Sequence, residues 1–157
     1  MNRLTKIILK NIFRVPSIFG RIYWYAAHPE RYSGEEKLRP LQYIVERAKI
    51  SGNLDIKVYG RENIPEKDGY IFYPNHQGIF DGFAMIEACQ RPICPVMKQE
   101  LMKIPGVKQI FTCMNALPMD RRDVKQSLRV INEVSHRVMQ GENCIIFAEG
   151  TRSRNGN

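Results

Sequence analysis

The rhythm of apolar and polar residues changes once along this chain, near residue 52. Before that point apolar positions recur at helical spacing. From Leu4 to Phe13, residues set about 100° apart on a helix gather Arg3, Lys6, Lys10 and Arg14 on one stripe and Leu4, Ile8, Leu9, Ile12 and Phe13 on the broad opposite face. Pro16 predicts an end or a kink, and an aromatic-rich stretch, Phe19-Gly20-Arg21-Ile22-Tyr23-Trp24-Tyr25, follows it. A second helix is predicted over 34–50, with Leu38, Leu41, Ile44 and Val45 in phase and Glu35 and Glu36 at its electropositive end. Arg39-Pro40 predicts a kink or a delayed start within it.

After Gly52 short β-rich runs alternate with helical ones. Strands are predicted at 56–59, 70–73, 93–97, 116–119 and 145–148. Helices are predicted over 81–89, 100–102 and 107–111, and from Asp123 through Val124, Leu128, Ile131, Val134 and Val138 to a stop at Gly141. This alternation predicts an α/β fold: a largely parallel sheet flanked by helices, with ligands held outside the strand C-termini. The expected division is residues 1–52 as amphipathic, membrane-associating helices and 53–157 as the catalytic body. Both chemically rich segments, 75–81 and 149–154, directly follow predicted strands.

Composition adds a direction to the partners. A length of 157 residues with 43% hydrophobic and 25% charged content suits one globular core. Lys and Arg outnumber Asp and Glu by 24 to 16, a net charge of +8, so phosphate esters, anionic lipid, nucleic acid or an acidic carrier protein are the candidate partners. No recognised nucleic-acid-binding motif is present, and no nucleic-acid partner is expected. Residues 3–25 carry five Lys or Arg and no acid, where a helix facing only water mixes signs. With the apolar face and the Trp-Tyr cluster, this predicts a peripheral anchor at the cytoplasmic face of a membrane; the alternative is a helix whose apolar face packs on the domain core. Lys6, Lys10, Arg14 and Arg21 interrupt any spanning helix or signal-peptide core. Cys89, Cys94, Cys113 and Cys144 show no C-x-x-C spacing and are expected as reduced, hydrophobe-like thiols, with no disulfide framework and no metal site.

The candidate chemistry lies in two loops and one junction. In Asn75-His76-Gln77-Gly78-Ile79-Phe80-Asp81, histidine and carboxylate are five residues apart and share no face of a straight helix. They meet only if His76 sits in the turn and Asp81, in the first helical turn, reaches back. That arrangement makes His76 an oriented general base; otherwise Asp81 only caps its helix, and spacing does not choose. Glu149-Gly150-Thr151-Arg152-Ser153-Arg154 offers close backbone approach, hydroxyl donors and guanidinium forks to an anion, or else is an ordinary polar turn. Asp120-Arg121-Arg122-Asp123 is either a second phosphate-binding junction or a solvated helix start.

Taken together, these segments resemble the lysophosphatidate (1-acylglycerol-3-phosphate) acyltransferase family. His76 and Asp81 meet its H-x-x-x-x-D motif with the usual preceding Asn75. Phe147-Ala148-Glu149-Gly150-Thr151-Arg152-Ser153 is similar to its F-P-E-G-T-R-S block, with alanine in place of proline. Asp120-Arg121, and Lys98, Glu100, Leu101 and Pro105-Gly106, match intervening pieces. The resemblance implies a glycerolipid acyltransferase-like fold and transfer of an acyl group from acyl-CoA or an acyl carrier protein to the free hydroxyl of lysophosphatidate. It implies His76 and Asp81 as the catalytic pair and Arg121, Glu149, Gly150, Thr151 and Arg152 as the phosphate-holding residues. It implies no cofactor beyond the thioester co-substrate. Family members continue past this block whereas this chain stops at Asn157, so a C-terminally truncated member of low solubility or activity is expected. The rivals are a non-catalytic membrane-surface remnant and a metal-dependent phosphoester hydrolase, for which one His and one Asp are thin.

Overall fold

The computed structural model describes residues 3–78 and 80–149. Four strands, β1 (Ile71–Phe72), β2 (Cys94–Lys98), β3 (Leu117–Met119) and β4 (Cys144–Ile145), form a sheet in the order β1-β4-β2-β3, every pair parallel. Six helices accompany it: α1 (Arg3–Lys10), α2 (Val15–Ala27), α3 (Gly34–Gly52), α4 (Asp81–Cys89), α5 (Val107–Cys113) and α6 (Val124–Met139). The α/β architecture expected from alternation is therefore the one observed.

Neighbouring residues of β4 define the two faces of the sheet. Cys144 packs with Cys94, Leu117, Val130 and Val134 beneath α6. Ile145 packs with Cys89 and Ile93 on the α4 side. Beyond that second layer, Ile18 and Ile22 of α2 meet Leu38, Leu41 and Val45 of α3, Ile86 of α4 and Cys113 of α5 in a third cluster. Each such fully buried aliphatic side chain contributes about 1.5–3 kcal/mol. Residues 15–52 thus share their core with the sheet-bearing part of the chain.

Local chemistry sets the helix ends. Ser33 and Glu36 form a reciprocal capping box at the start of α3: Ser33 N–H donates to Glu36 Oε2 at 2.8 Å, and Glu36 N–H to Ser33 Oγ at 3.2 Å. This fixes the start at Gly34, and the helix runs on through buried Pro40 without a delayed start. Asp123 caps α6 by accepting from Gln126 N–H at 2.9 Å. Just past its C-terminus Gly141 takes φ +89°, the left-handed conformation that glycine tolerates best.

Three expectations are corrected. Residues 56–59 alternate in burial but join no sheet among the described residues; alternation favours an extended chain, whereas a strand also needs a neighbour to pair with. The last strand is Cys144–Ile145 rather than 145–148: its ladders to β1 and to β2 both end at Ile145. On α6 the row facing the sheet is Val130, Val134 and Val138, while Val124, Leu128 and Ile131 are exposed. The helix carries two adjacent apolar rows, and the sheet takes the one nearer Cys94. On α1 the inward residue is Ile7, packed against Gly52, and in the turn just past it Asn11 donates to Ser51 Oγ at 2.9 Å and accepts from Arg47 Nε at 3.1 Å. Ile8, Leu9, Ile12 and Phe13 remain exposed, Phe13 at 96%.

Candidate active site

β1 ends at Phe72, and Pro74 keeps the preceding residue extended. The chain therefore leaves the sheet straight, carrying His76 to the C-terminal edge before α4 begins. Phe80 occupies the N-cap position of α4 without a side-chain cap bond, and Asp81 is the first helical residue. The Asp81 carboxylate does not cap its own helix. Oδ2 turns back and accepts from His76 Nδ1 at 2.7 Å, Gln77 N–H at 2.7 Å and Gly78 N–H at 2.9 Å.

Those three contacts decide the electrostatics. Partial burial pushes the Asp81 pKa up, but the hydrogen bonds from Gly78, His76 and Gln77 outweigh it and hold the carboxyl below its usual range. The first turn of α4 adds its positive dipole end. An ionised carboxylate only accepts, so Nδ1 carries the hydrogen and the lone pair of the neutral ring lies on Nε2. Both side chains keep a window to solvent, His76 at 27% and Asp81 at 21% exposure. Of the two arrangements that spacing left open, the one present is Asp81 reaching back to His76.

A residue given no role by its sequence position completes the support. Phe147, just beyond β4, packs its ring on the His76 imidazole with centroids 4.6 Å apart at 46°. The contact exists because β4 is inserted beside β1. The motif-like setting of Phe147 in the 147–153 block was the only signal in the sequence.

Of the other candidate residues, Glu149 and Arg121 are among those described. Glu149 follows β4 and is exposed; Gly150, Thr151 and Arg152 lie outside the described residues. Arg121 is exposed in the turn after β3, at the opposite side of the sheet from β1. Three strand spacings separate those two strands, about 14 Å at the usual interstrand distance. Among the described residues no group of three or more His, Cys, Asp or Glu side chains is disposed to hold a metal ion.

The N-terminal helices approach this edge as well. Phe19, near the start of α2, packs against Gly106 so closely that a Cβ there would come within 3.0 Å of it. Gly106 follows a short 3-10 helix, Gln99–Lys103, that leaves the C-terminal end of β2. At the other end of α2, Lys37 Nζ donates to Pro29 O at 3.2 Å, and nearby Gly34 abuts Pro92, which precedes β2. The α1–α2 elbow therefore stands at the strand C-terminal end, the end that carries His76. No helix among the described residues is long and apolar enough to cross a membrane.

Comparison with known proteins gives a consistent set of likenesses. A family model described as Acyltransferase matches residues 55–157. The 1-acyl-sn-glycerol-3-phosphate acyltransferase of Borreliella burgdorferi is 31% identical over 121 residues, 74% of this chain and 48% of that protein. The protein of the same description from Saccharomyces cerevisiae is 31% identical over 107 residues, covering 67% of this chain and 35% of its own length. That of Pseudomonas aeruginosa is 28% identical over 111 residues, with coverage of 66% and 40%. The chain thus spans half or less of the length of these relatives. No solved structure matches it.

Proposed function

The chain belongs to the acyltransferase family, and from that premise we propose that it transfers an acyl group from acyl-CoA or an acyl carrier protein to the free hydroxyl of lysophosphatidate, giving phosphatidate. The observation that carries this reading is the 2.7 Å bond from His76 Nδ1 to an Asp81 carboxylate that also accepts two backbone N–H groups. His76 Nε2 takes the proton of the acceptor hydroxyl as its oxygen attacks the thioester carbonyl. Collapse of the tetrahedral adduct breaks the C–S bond, and the imidazolium returns its proton to the departing thiolate. Asp81 stays ionised throughout and stabilises the imidazolium. General-base assistance of this kind contributes about 10²–10⁴ in rate.

The substrate class is supported by the names of the relatives, each a 1-acyl-sn-glycerol-3-phosphate acyltransferase. Arg121, Glu149, Gly150, Thr151 and Arg152 are the residues assigned to the glycerol phosphate by their match to the family blocks. A membrane is the proposed source of the lipid. Ile8, Leu9, Ile12 and Phe13 are exposed beside Arg3, Lys6, Lys10 and Arg14 at the catalytic end of the molecule, a combination suited to peripheral binding at an anionic cytoplasmic leaflet.

The test is turnover by the purified chain in vesicles containing lysophosphatidate, read as thiol release from an acyl thioester. Release that requires the lysolipid supports the proposal. Thiol release at the spontaneous rate, even at high protein concentration, would favour the non-catalytic surface protein.

A further inference from the structure

Two buried thiols outside the catalytic apparatus face one another across the centre of the sheet. Cys94 and Cys144 are register partners of the parallel strands β2 and β4, and both point into the α6 face, among Val130 and Val134. Paired residues on parallel strands lie about 4.8 Å apart, within the Cα separations of roughly 4.4–6.8 Å that a disulfide spans. The other two cysteines have no such arrangement: Cys89 packs on the α4 side of the sheet and Cys113 in the helical cluster. We propose that Cys94 and Cys144 form a reversible redox modification site, closing to a disulfide when the folded chain meets a small peroxide.

The surroundings of the pair suit that chemistry. Arg137 on α6 places Nη1 3.4 Å from Cys94 Sγ, and the same nitrogen donates to Asn115 O at 2.8 Å. Cys94 Sγ–H donates to Asn115 O at 3.1 Å. The neighbouring Cys94 sulfur holds the Cys144 thiol below the ordinary cysteine range, and Arg137 acts in the same direction, against burial. The neighbouring Cys144 sulfur, together with burial, raises Cys94. One member is thus disposed to be the thiolate and the other to keep its proton.

A route to one member of the pair, Cys94, exists. A cavity of about 330 Å³ opens at the strand N-terminal end, away from His76, and is lined by Cys94 together with Glu142 and Asn143, the two residues preceding Cys144. Hydrogen peroxide is little larger than the water such a space admits. Attack of one thiolate on the O–O bond gives a sulfenic acid and hydroxide. The partner thiol then displaces the sulfenic oxygen, so that the S–S bond forms, both thiols are oxidised, and the peroxide leaves as two waters. The two strands joined are the inner pair of the sheet, and β4 leads directly to Phe147 beside His76.

The experiment is peroxide treatment of the folded full-length chain, followed by unfolding, alkylation and peptide mass spectrometry. Alkylatable thiols are expected to fall from the four of the reduced chain to two. A Cys94–Cys144 cross-linked peptide pair lighter by two hydrogens is expected, and dithiothreitol should restore all four. Cys94→Ser and Cys144→Ser should each abolish the cross-link without creating one between Cys89 and Cys113. Because the unmodified chain is the primary sample, failure of either variant to fold leaves the result readable. Four thiols persisting after peroxide, oxidation that stops at sulfinic acid, or cross-links scattered over other cysteine pairs would each overturn the proposal. It stands independently of the acyl-transfer reading.

Discussion

Three donors converge on a single oxygen of Asp81, and this convergence gives the residue two separable duties. It fixes the turn 76–78 through the backbone, and it orients the imidazole. Asp81→Asn removes the charge and replaces an acceptor with an amide that can also donate, so His76 loses its fixed tautomer. Activity is expected to fall about 10³-fold or more, while circular dichroism shows retained helix. Stability should change with a defined sign. The folded pKa of Asp81 is depressed, so its ionised carboxylate stabilises the fold above its unfolded value of about 3.9, and the contribution is lost as pH falls through the folded value. The gap in urea midpoint between wild type and Asp81→Asn is therefore expected to shrink as pH falls below about 3.9 toward about 3. A gap independent of pH down to that point would show that the carboxylate charge stabilises nothing. At this scale His76 and Asp81 were legible in the sequence, because their spacing at a strand end admits few geometries. The role of Phe147 was not, since its contact depends on β4 lying beside β1.

The elements were legible where local chemistry fixes them. Glu35 and Glu36 marked the start of α3, where the structure adds the Ser33–Glu36 capping box, Asp123 starts α6, and the strand C-termini at Phe72 and Met119 are followed by the candidate loops. Losing the capping box tests this reading directly: Ser33→Ala should cost about 1 kcal/mol, seen as a lowered urea midpoint with unchanged slope. No loss of stability would mean that tertiary packing alone fixes the start of α3. The rotation of α6 was not legible. Val124, Leu128, Ile131 and Val134 keep the helical period as well as Val130, Val134 and Val138 do, and only the position of the sheet selects between them. The extended run 56–59 failed as a strand for a related reason, since pairing depends on a partner elsewhere in the chain.

At the scale of the molecule, the helices before residue 53 are part of the packed body and also bring an unpacked apolar elbow to the end that carries His76. Ile22 and Val45 are buried in the shared core, whereas Ile12 is half exposed and Phe13 almost fully so. The two readings of the N-terminus thus apply to different segments: α2 and α3 pack inward, and the outward face of α1 is the one proposed for lipid. Phe13→Ser should weaken sedimentation with anionic vesicles about tenfold, since a buried aromatic contributes about 1.5–3 kcal/mol and 1.4 kcal/mol is tenfold in affinity. Binding should also weaken with added salt as the cationic stripe is screened. Stability in urea should be unchanged, because this side chain packs on nothing. Equal sedimentation of Phe13→Ser and wild type would remove the elbow from the membrane account.

The most direct measurement compares kcat/KM of the chain and of His76→Ala for lysophosphatidate with an acyl thioester donor. The expected result is lysolipid-dependent thiol release that drops about 10²–10⁴-fold in the variant, with its unfolding midpoint close to wild type. A folded His76→Ala protein that acylates lysophosphatidate at the wild-type rate would contradict the assignment of His76 as the base.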